Sequence, residues 1–397
     1  MGIYPVIIEF RPEYFSVKQF IHGYAGAGHP NLRNMISAIF VSMMVLHGLL
    51  HLIGFSKELY LGTHGRLTIK TLSGNTSWVL GTLWLLAFLL FIAGSLLYLL
   101  RKEWFWIPTA AGLLLSQTLI IINWQDAWYG TVVNILILIA VVFLASMLRF
   151  NSMVKKEVEA LQANARAPEK ILTEGDISGL PKNVQRWLRQ SNAVGKKVKG
   201  VIRVHQRGSM RSKPGGKWMP LQAIQYFSID PPSFVWDAKI KAAPLIEIAG
   251  RDKYQNGSGH MLIKPLYVFT AASSSGEEIN QGSLLRYLAE IAWFPQAAVS
   301  DYLEWKEISK RQAEVTMTYG GITASGTYFF NEDGNIAGFE AQRYGAFEGI
   351  YRKETWSITV TSYKAFNDII IGNKSEVTWK LKEGDFHWLK LEVTEIQ

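Results

Sequence analysis

The chain has 397 residues, no cysteine and a formal net charge of +9; 49% of it is hydrophobic, with 14 Trp, 16 Tyr and 20 Phe. The absence of cysteine excludes disulfides, thiolate metal sites and cysteine nucleophiles, and leaves the compartment open. Charge is uneven: residues 1–149 hold 9 basic and 5 acidic side chains, 150–220 hold 15 and 5, and 221–397 hold 17 and 22, so the positive excess forms a collar in the middle of the chain.

Residues 1–34 mix charge with aromatic and apolar positions and predict an N-terminal cytoplasmic segment, either an interfacial helix or an ordered tail. They lack the basic, apolar and small-residue succession of a cleaved signal peptide. Residues 35–150 then read as four membrane spans, about Met35–Phe55, Trp78–Leu100, Trp104–Trp124 and a last one from Trp128 to Arg149, in which the residues after Thr131 and up to Leu148 include only Asn134 and Ser146 as polar side chains. Asn34 is placed to cap the first. The turns Arg101–Glu103 and Gln125–Ala127 are short and force antiparallel neighbours, predicting an up-and-down four-helix bundle. Arg11, Lys18, Arg33, Arg101, Lys102, Arg149, Lys155 and Lys156 fall on one side, against Lys57, Arg66 and Lys70 on the other. The excess of basic loop residues therefore places both termini, and the second domain, in the cytoplasm of an inner-membrane protein.

His47 and His51 are four residues apart in HGLLH and share a helix face, the spacing used to hold a metal or haem iron; hydrogen bonding to neighbouring helices explains them equally in kind. At about 1.5 Å per residue, His47, Gln117 and Asn134 reach a common depth, with His51, Asn123 and Asp126 nearer the surface. The expectation is an intramembrane polar cluster of His47, Gln117, Asn134 and Asp126.

Residues 151–195 predict a basic helical linker. It comprises an extension of the last span stopped by Pro168, then an amphipathic helix after Pro181 with Val184, Trp187 and Leu188 on its apolar side. From 196 to 397 the pattern turns to alternating strands, roughly ten of them, with turns at Asn331–Asn335 and Lys382–Asp385. One segment differs: EINQGSLLRYLAEIAWFP is apolar almost all round and must be a buried helix. The predicted architecture is a multidomain membrane protein, a four-helix transmembrane bundle followed by an antiparallel β half-barrel (α+β) wrapped around that helix. Arg286 and Glu290, one turn apart on it, form an i,i+4 pair or line a headgroup site.

The runs QRGSMRSKPGGKWMPLQAIQYFSIDPPSFVWDAKI, RDKYQNGSGHM and LLRYLAEIAWFPQA, with HGLLHLIGF and SQTLIIINWQDAWYGT ahead of them, resemble a bacterial family known only as a domain of unknown function. The resemblance covers most of residues 175–397. It implies a four-span block before a β domain and transfers no activity or catalytic residue. The layout of sheet around helix is also similar to the half-barrel of periplasmic lipoprotein carriers, a likeness of fold alone.

Other chemistry finds little support. YGGITASG lacks the lysine and following helix of a phosphate loop. Ser258 and His260 in GSGHM have neither a nucleophile elbow nor an acid partner, and His205, His260 and His387 have no ligand spacing. The basic collar has no nucleic-acid motif beside it and suits anionic lipid headgroups. The leading expectation is therefore a non-enzymatic protein, with no catalytic residue and no cofactor, whose β domain binds a hydrophobic or lipid-like small molecule at the membrane surface. Arg286, Glu290, Leu288, Asp237 and Arg251 are its candidate contacts, Asp237, Arg251 and Asp252 serving either as ligand contacts or as a buried ion network. The alternatives are a redox, metal or haem unit through His47 and His51, and an anchored protein-interaction module.

Overall fold

In hydrocarbon a backbone has no hydrogen-bond partner but itself, so long apolar runs become helices. The computed structural model describes residues 30–64, 74–166, 170–244, 246–347 and 350–397; most of the N-terminal segment and part of the first loop lie outside these. Helices α1 (Pro30–His64), α2 (Gly74–Leu99), α3 (Trp106–Ile122) and α5 (Tyr129–Asn164) are separated by a 3₁₀ turn at Glu103–Phe105 and the one-turn α4 (Trp124–Ala127). Each of the four regions is long and apolar enough to cross a membrane. Because α1 begins at Pro30, Asn34 lies inside it and is not its cap, and the first loop is shortened by helix extending to His64 and resuming at Gly74.

The described chain divides into two compact units, at Asn151 and Ser152. In the first, Phe40, Met44, Phe91, Tyr98, Phe105, Leu113, Ile137 and Val141 form the core shared by the four long helices. Gly54 lets the Trp84 ring lie against the α1 backbone, since a Cβ there would come within 2.5 Å of it. Leu46, Ile53, Leu114, Ile121 and Ile139 project outward and are exposed, the surface expected of helices solvated by lipid.

In the second unit, after α6 (Glu174–Ile177) and α7 (Lys182–Gln190), come β1 (Val201–Met210), β2 (Met219–Ser228), β3 (Ser233–Ala243), β4 (Ile246–Gln255), β5 (Ser258–Pro265) and β6 (Ala272–Ser274). Helix α8 (Glu277–Glu290) and two 3₁₀ turns follow, then β7 (Leu303–Ser309), β8 (Gln312–Tyr319), β9 (Ile322–Phe330), β10 (Ile336–Phe347), β11 (Ile350–Phe366), β12 (Ile369–Leu381) and β13 (Gly384–Ile396). The thirteen strands pair antiparallel in one sheet of order β6-β5-β4-β3-β2-β1-β13-β12-β11-β10-β9-β8-β7, two meanders joined where β1 meets β13. Its edges are the three-residue β6 and the charged β7, where Glu304, Lys306 and Glu307 are exposed.

Helix α8 packs on β4 and β5 of one wing and on β9 and β10 of the other, so the sheet curls around it as a half-barrel. At one end the wings meet: Gly257 in the β4–β5 turn and Gly320 in the β8–β9 turn touch backbone to backbone, both at positive φ (78° and 60°), a contact that any side chain would block. Leu284, Leu285, Tyr287 and Leu288 are buried in the main core with Phe227, Phe234, Val315, Tyr328 and Phe339. The last carbonyls of α8, at Leu288 and Ala289, accept from the Tyr328 hydroxyl at 2.7 and 3.0 Å. Helix α7 packs its Val184, Trp187 and Leu188 into this same core, and Asn183 Nδ2 donates to the Ser309 and Gln312 carbonyls at 2.9 Å across the β7–β8 hairpin.

Candidate functional site

Beside α8, on the hollow face of the sheet, lies a cavity of about 250 Å³. Two small residues near the end of the helical segment leave room for it: Ala289 and Ala292 line the cavity where larger side chains would fill the space. Strand alternation supplies the other walls. Trp236 on β3, Met261 on β5, Phe339 on β10 and Trp356 on β11 point inward, while Trp293 closes the helix side. The surface is aromatic and aliphatic, with a few polar groups gathered at the helix, the composition of a small-molecule site.

The polar groups around Arg286 form one network. Arg286 Nε donates to Glu290 Oε1 at 2.9 Å, Nη1 to Asp252 Oδ2 at 2.8 Å and Nη2 to Gln225 Oε1 at 3.4 Å. Gln225 Nε2 donates to Glu290 Oε2 at 2.7 Å, Gln206 Nε2 to Gln225 Oε1 at 3.0 Å, and Trp236 Nε1 to Gln206 Oε1 at 2.9 Å. The guanidinium also stacks on Trp236, 4.7 Å from its centroid. Burial pushes the Glu290 carboxyl above its ordinary range against the pull of Arg286. For Arg286 burial acts downward, but Glu290 and Asp252 outweigh it and hold the guanidinium above its usual range. Arg286 and Glu290 thus form the i,i+4 pair, and both line the cavity. Leu288 does not reach that wall; it is fully buried in the core.

Asp237 and Arg251 do not join this site. They face each other across β3 and β4, and alternation puts them on the opposite side of the sheet from Trp236 and Asp252. Arg251 is engaged there by Glu157 of α5, Nε to Oε2 at 3.1 Å, and Glu157 also pairs with Lys253 at 2.9 Å. Burial raises the Asp237 carboxyl. Arg251 Nη1 donates to the His260 carbonyl and Nη2 meets His260 Nδ1, each at 2.9 Å. Since a guanidinium only donates, His260 Nδ1 is the acceptor and Nε2, 3.3 Å from Ser273 Oγ, carries the hydrogen. A serine beside such an imidazole has no base to take its proton.

In the helical block, His47 Nε2 lies 2.9 Å from Asn134 Oδ1 and 3.3 Å from Ser116 Oγ. The Asn134 amide donates to Ser116 Oγ and Gln117 Oε1 at 3.1 Å, and Gln117 Nε2 to Thr131 at 3.1 Å. The structure therefore brings together His47, Gln117 and Asn134, and adds Ser116 and Thr131. Asp126 stands apart in an exposed pair with Lys57 at 2.8 Å. His51 Nδ1 donates to the His47 carbonyl at 2.8 Å, and the two rings lie nearly perpendicular, centroids 4.8 Å apart. His47 Nδ1 and His51 Nε2 are buried without hydrogen-bond partners among the described residues. They are potential ligands, yet among the described residues no third His, Asp or Glu joins them. Asn134→Leu, which removes the hub of the cluster, is expected to lower the stability of the helical block by about 1 to 2 kcal/mol, measurable as a shifted unfolding midpoint in mixed micelles.

Among curated proteins no sequence matches the chain. The crystal structure of a DUF1329 family protein from Desulfovibrio piger is similar over 54% of this chain and 91% of that one, at 11% identity and a TM-score of 0.33, which is too distant to carry an argument. Residues 170–391 match the model of a family of unknown function, DUF6544. As that match spans more than half of the 397 residues, the chain belongs to the DUF6544 family.

Proposed function

We propose that the β domain binds a hydrophobic or lipid-like molecule in the cavity beside α8, and that the helical block holds the protein in the cell inner membrane with both termini and the β domain cytoplasmic. The observation that supports binding is a space of about 250 Å³ left open beside α8, walled by Trp236, Trp293, Phe339 and Trp356, with the Arg286 network and Arg343 as its main polar groups. An unfilled apolar space of this kind costs stability, which a bound guest would recover. The reading is of a carrier or sensor and not an enzyme: the two carboxylates that line the cavity, Asp252 and Glu290, are tied to Arg286, and the Ser273–His260 pair lacks a base.

Full-length protein purified in detergent and extracted into organic solvent is expected to release an amphiphile in near-stoichiometric amount, seen by mass spectrometry above that of a control membrane protein. An extract identical to the control would remove the binding reading. The orientation is tested separately, because the chain lacks cysteine. Thr63→Cys is expected to react with an impermeant maleimide in intact cells, and Lys382→Cys, on the exposed β12–β13 turn, only after lysis. Labelling of position 382 in intact cells would reverse the assignment.

A further inference from the structure

Two strongly buried cations of the β domain are neutralised at contact distance, Arg286 by Asp252 and Glu290, Arg251 by Glu157. Arg343 is different. It reaches the same cavity from β10, yet no carboxylate among the described residues lies within ion-pairing distance of it. The residue opposite it on β11, Glu354, is taken by Arg352 at 2.7 Å. Arg343 rests on the faces of Trp356 and Trp379, 4.7 and 5.9 Å from their centroids, and Nε donates to the Gly282 carbonyl of α8 at 3.3 Å. A guanidinium has five N–H donors; among the described residues one of these finds an acceptor. Burial, with Arg286 nearby, lowers the Arg343 pKa to about 10 against the distant pull of Asp252 and Glu290, which still leaves it cationic at neutral pH.

We propose that the cavity takes a single apolar chain ending in one oxyanion, a carboxylate or a phosphate, and that Arg343 receives this head; the inference rests on the cavity reading given above. The planar fork of a guanidinium matches two oxygens of such a head, and charge-assisted hydrogen bonds in a site of low polarity are the strong ones. The two tryptophans hold the fork in place, so little side-chain freedom is lost on binding. Arg286 is poorly suited to this part, because its charge is already paired with Glu290 and Asp252 and three of its donors serve them and Gln225. Those two carboxylates, balanced by a single guanidinium, repel an anion at their end and so direct the head toward Arg343. The volume of about 250 Å³ suits one chain and not a two-chain phospholipid.

Isothermal titration of the full-length protein in a nonionic detergent tests this with decanoate, decyl phosphate, 1-decanol and inorganic phosphate. Decanoate and decyl phosphate are expected to bind about tenfold or more tightly than 1-decanol, the margin of one charge-assisted contact, with inorganic phosphate weakest. Arg343→Gln should bring decanoate down to the affinity of 1-decanol and leave 1-decanol unchanged, and Arg343→Lys should restore part of the difference. Equal binding of decanoate and 1-decanol by the wild type would overturn the role of the head while leaving the cavity reading in place, and needs no variant. Inorganic phosphate binding as tightly as decyl phosphate would overturn the role of the chain. Failure of all chain ligands would remove both the inference and the proposed function. Loss of 1-decanol together with decanoate in an Arg343→Gln protein of unchanged melting would show that Arg343 shapes the cavity and does not read a charge.

Discussion

Replacing Arg286 with Met is expected to destabilise the β domain by about 3 kcal/mol, enough to shift its melting transition, because it strands the buried Glu290 carboxylate and the partly buried Asp252. Asp252 and Glu290 are both bonded to that guanidinium, at 2.8 and 2.9 Å, and Gln225 orients the far oxygen of Glu290. With the cation gone, the remaining groups can only take up protons or draw in water. The thermal melt of the β signal in circular dichroism reports the loss. Adding Asp252→Asn and Glu290→Gln to Arg286→Met should recover part of it, since the cost lies in unpaired charge and not in the shape of the methionine. A melt unchanged by Arg286→Met would mean that water reaches the network freely.

The second large effect concerns the ligand. Ala292→Trp is expected to fill the cavity and remove any copurifying amphiphile while changing stability by less than about 1.5 kcal/mol, because the new ring enters existing space. Leu288, one turn earlier along the same helical segment, lies in filled core and does not line the cavity. There Leu288→Trp brings its added volume against close-packed neighbours and should cost about 1 to 3 kcal/mol without displacing ligand from the folded fraction. Lipid content per folded molecule, by extraction and mass spectrometry, separates the two. Equal lipid loss in both variants would place the ligand somewhere other than this cavity.

Much of the architecture is legible in the sequence because its signals are long. The four apolar runs and the helix around Leu284–Leu288 each exceed what a turn or a strand would need, and the alternation in Val377, Trp379 and Leu381 declares a sheet face. The strands β4, β6 and β7, which raise the expected ten to thirteen, are hidden for local reasons. In β4 the run GRDKY puts glycine and charge where a strand usually has branched side chains, β6 has three residues, and β7 is charged as an edge should be.

The site is legible only in part, because a sequence shows which face a residue is on but not what that residue is already bonded to. Arg286 stands out on an apolar helix, and its partners Asp252 and Gln225 come from strands more than thirty residues away. Arg343 has a signal, since Phe339, Ala341 and Arg343 alternate onto one face, but nothing local reveals that Glu354 is engaged elsewhere. Asp237 and Arg251 are neighbours across strands, yet the register that pairs them also turns them away from the cavity. Glu157, which holds Arg251, sits in a segment whose composition suggests only a linker.

Among the described residues the open sheet of thirteen strands ends in two edges that pair with no further strand, and such an edge is an invitation to another chain. On one side the invitation is brief, because β6 offers three residues. On the other, a second copy of β7 laid antiparallel about its centre would set Lys306 against its own counterpart, with Glu304 and Glu307 nearby and Ile308 alone as an exposed apolar side chain to compensate. Self-templated growth from strand to strand, the hazard of any long unclosed sheet, is thereby opposed at both ends, and the half-barrel can stay open around a guest without becoming the seed of a fibre.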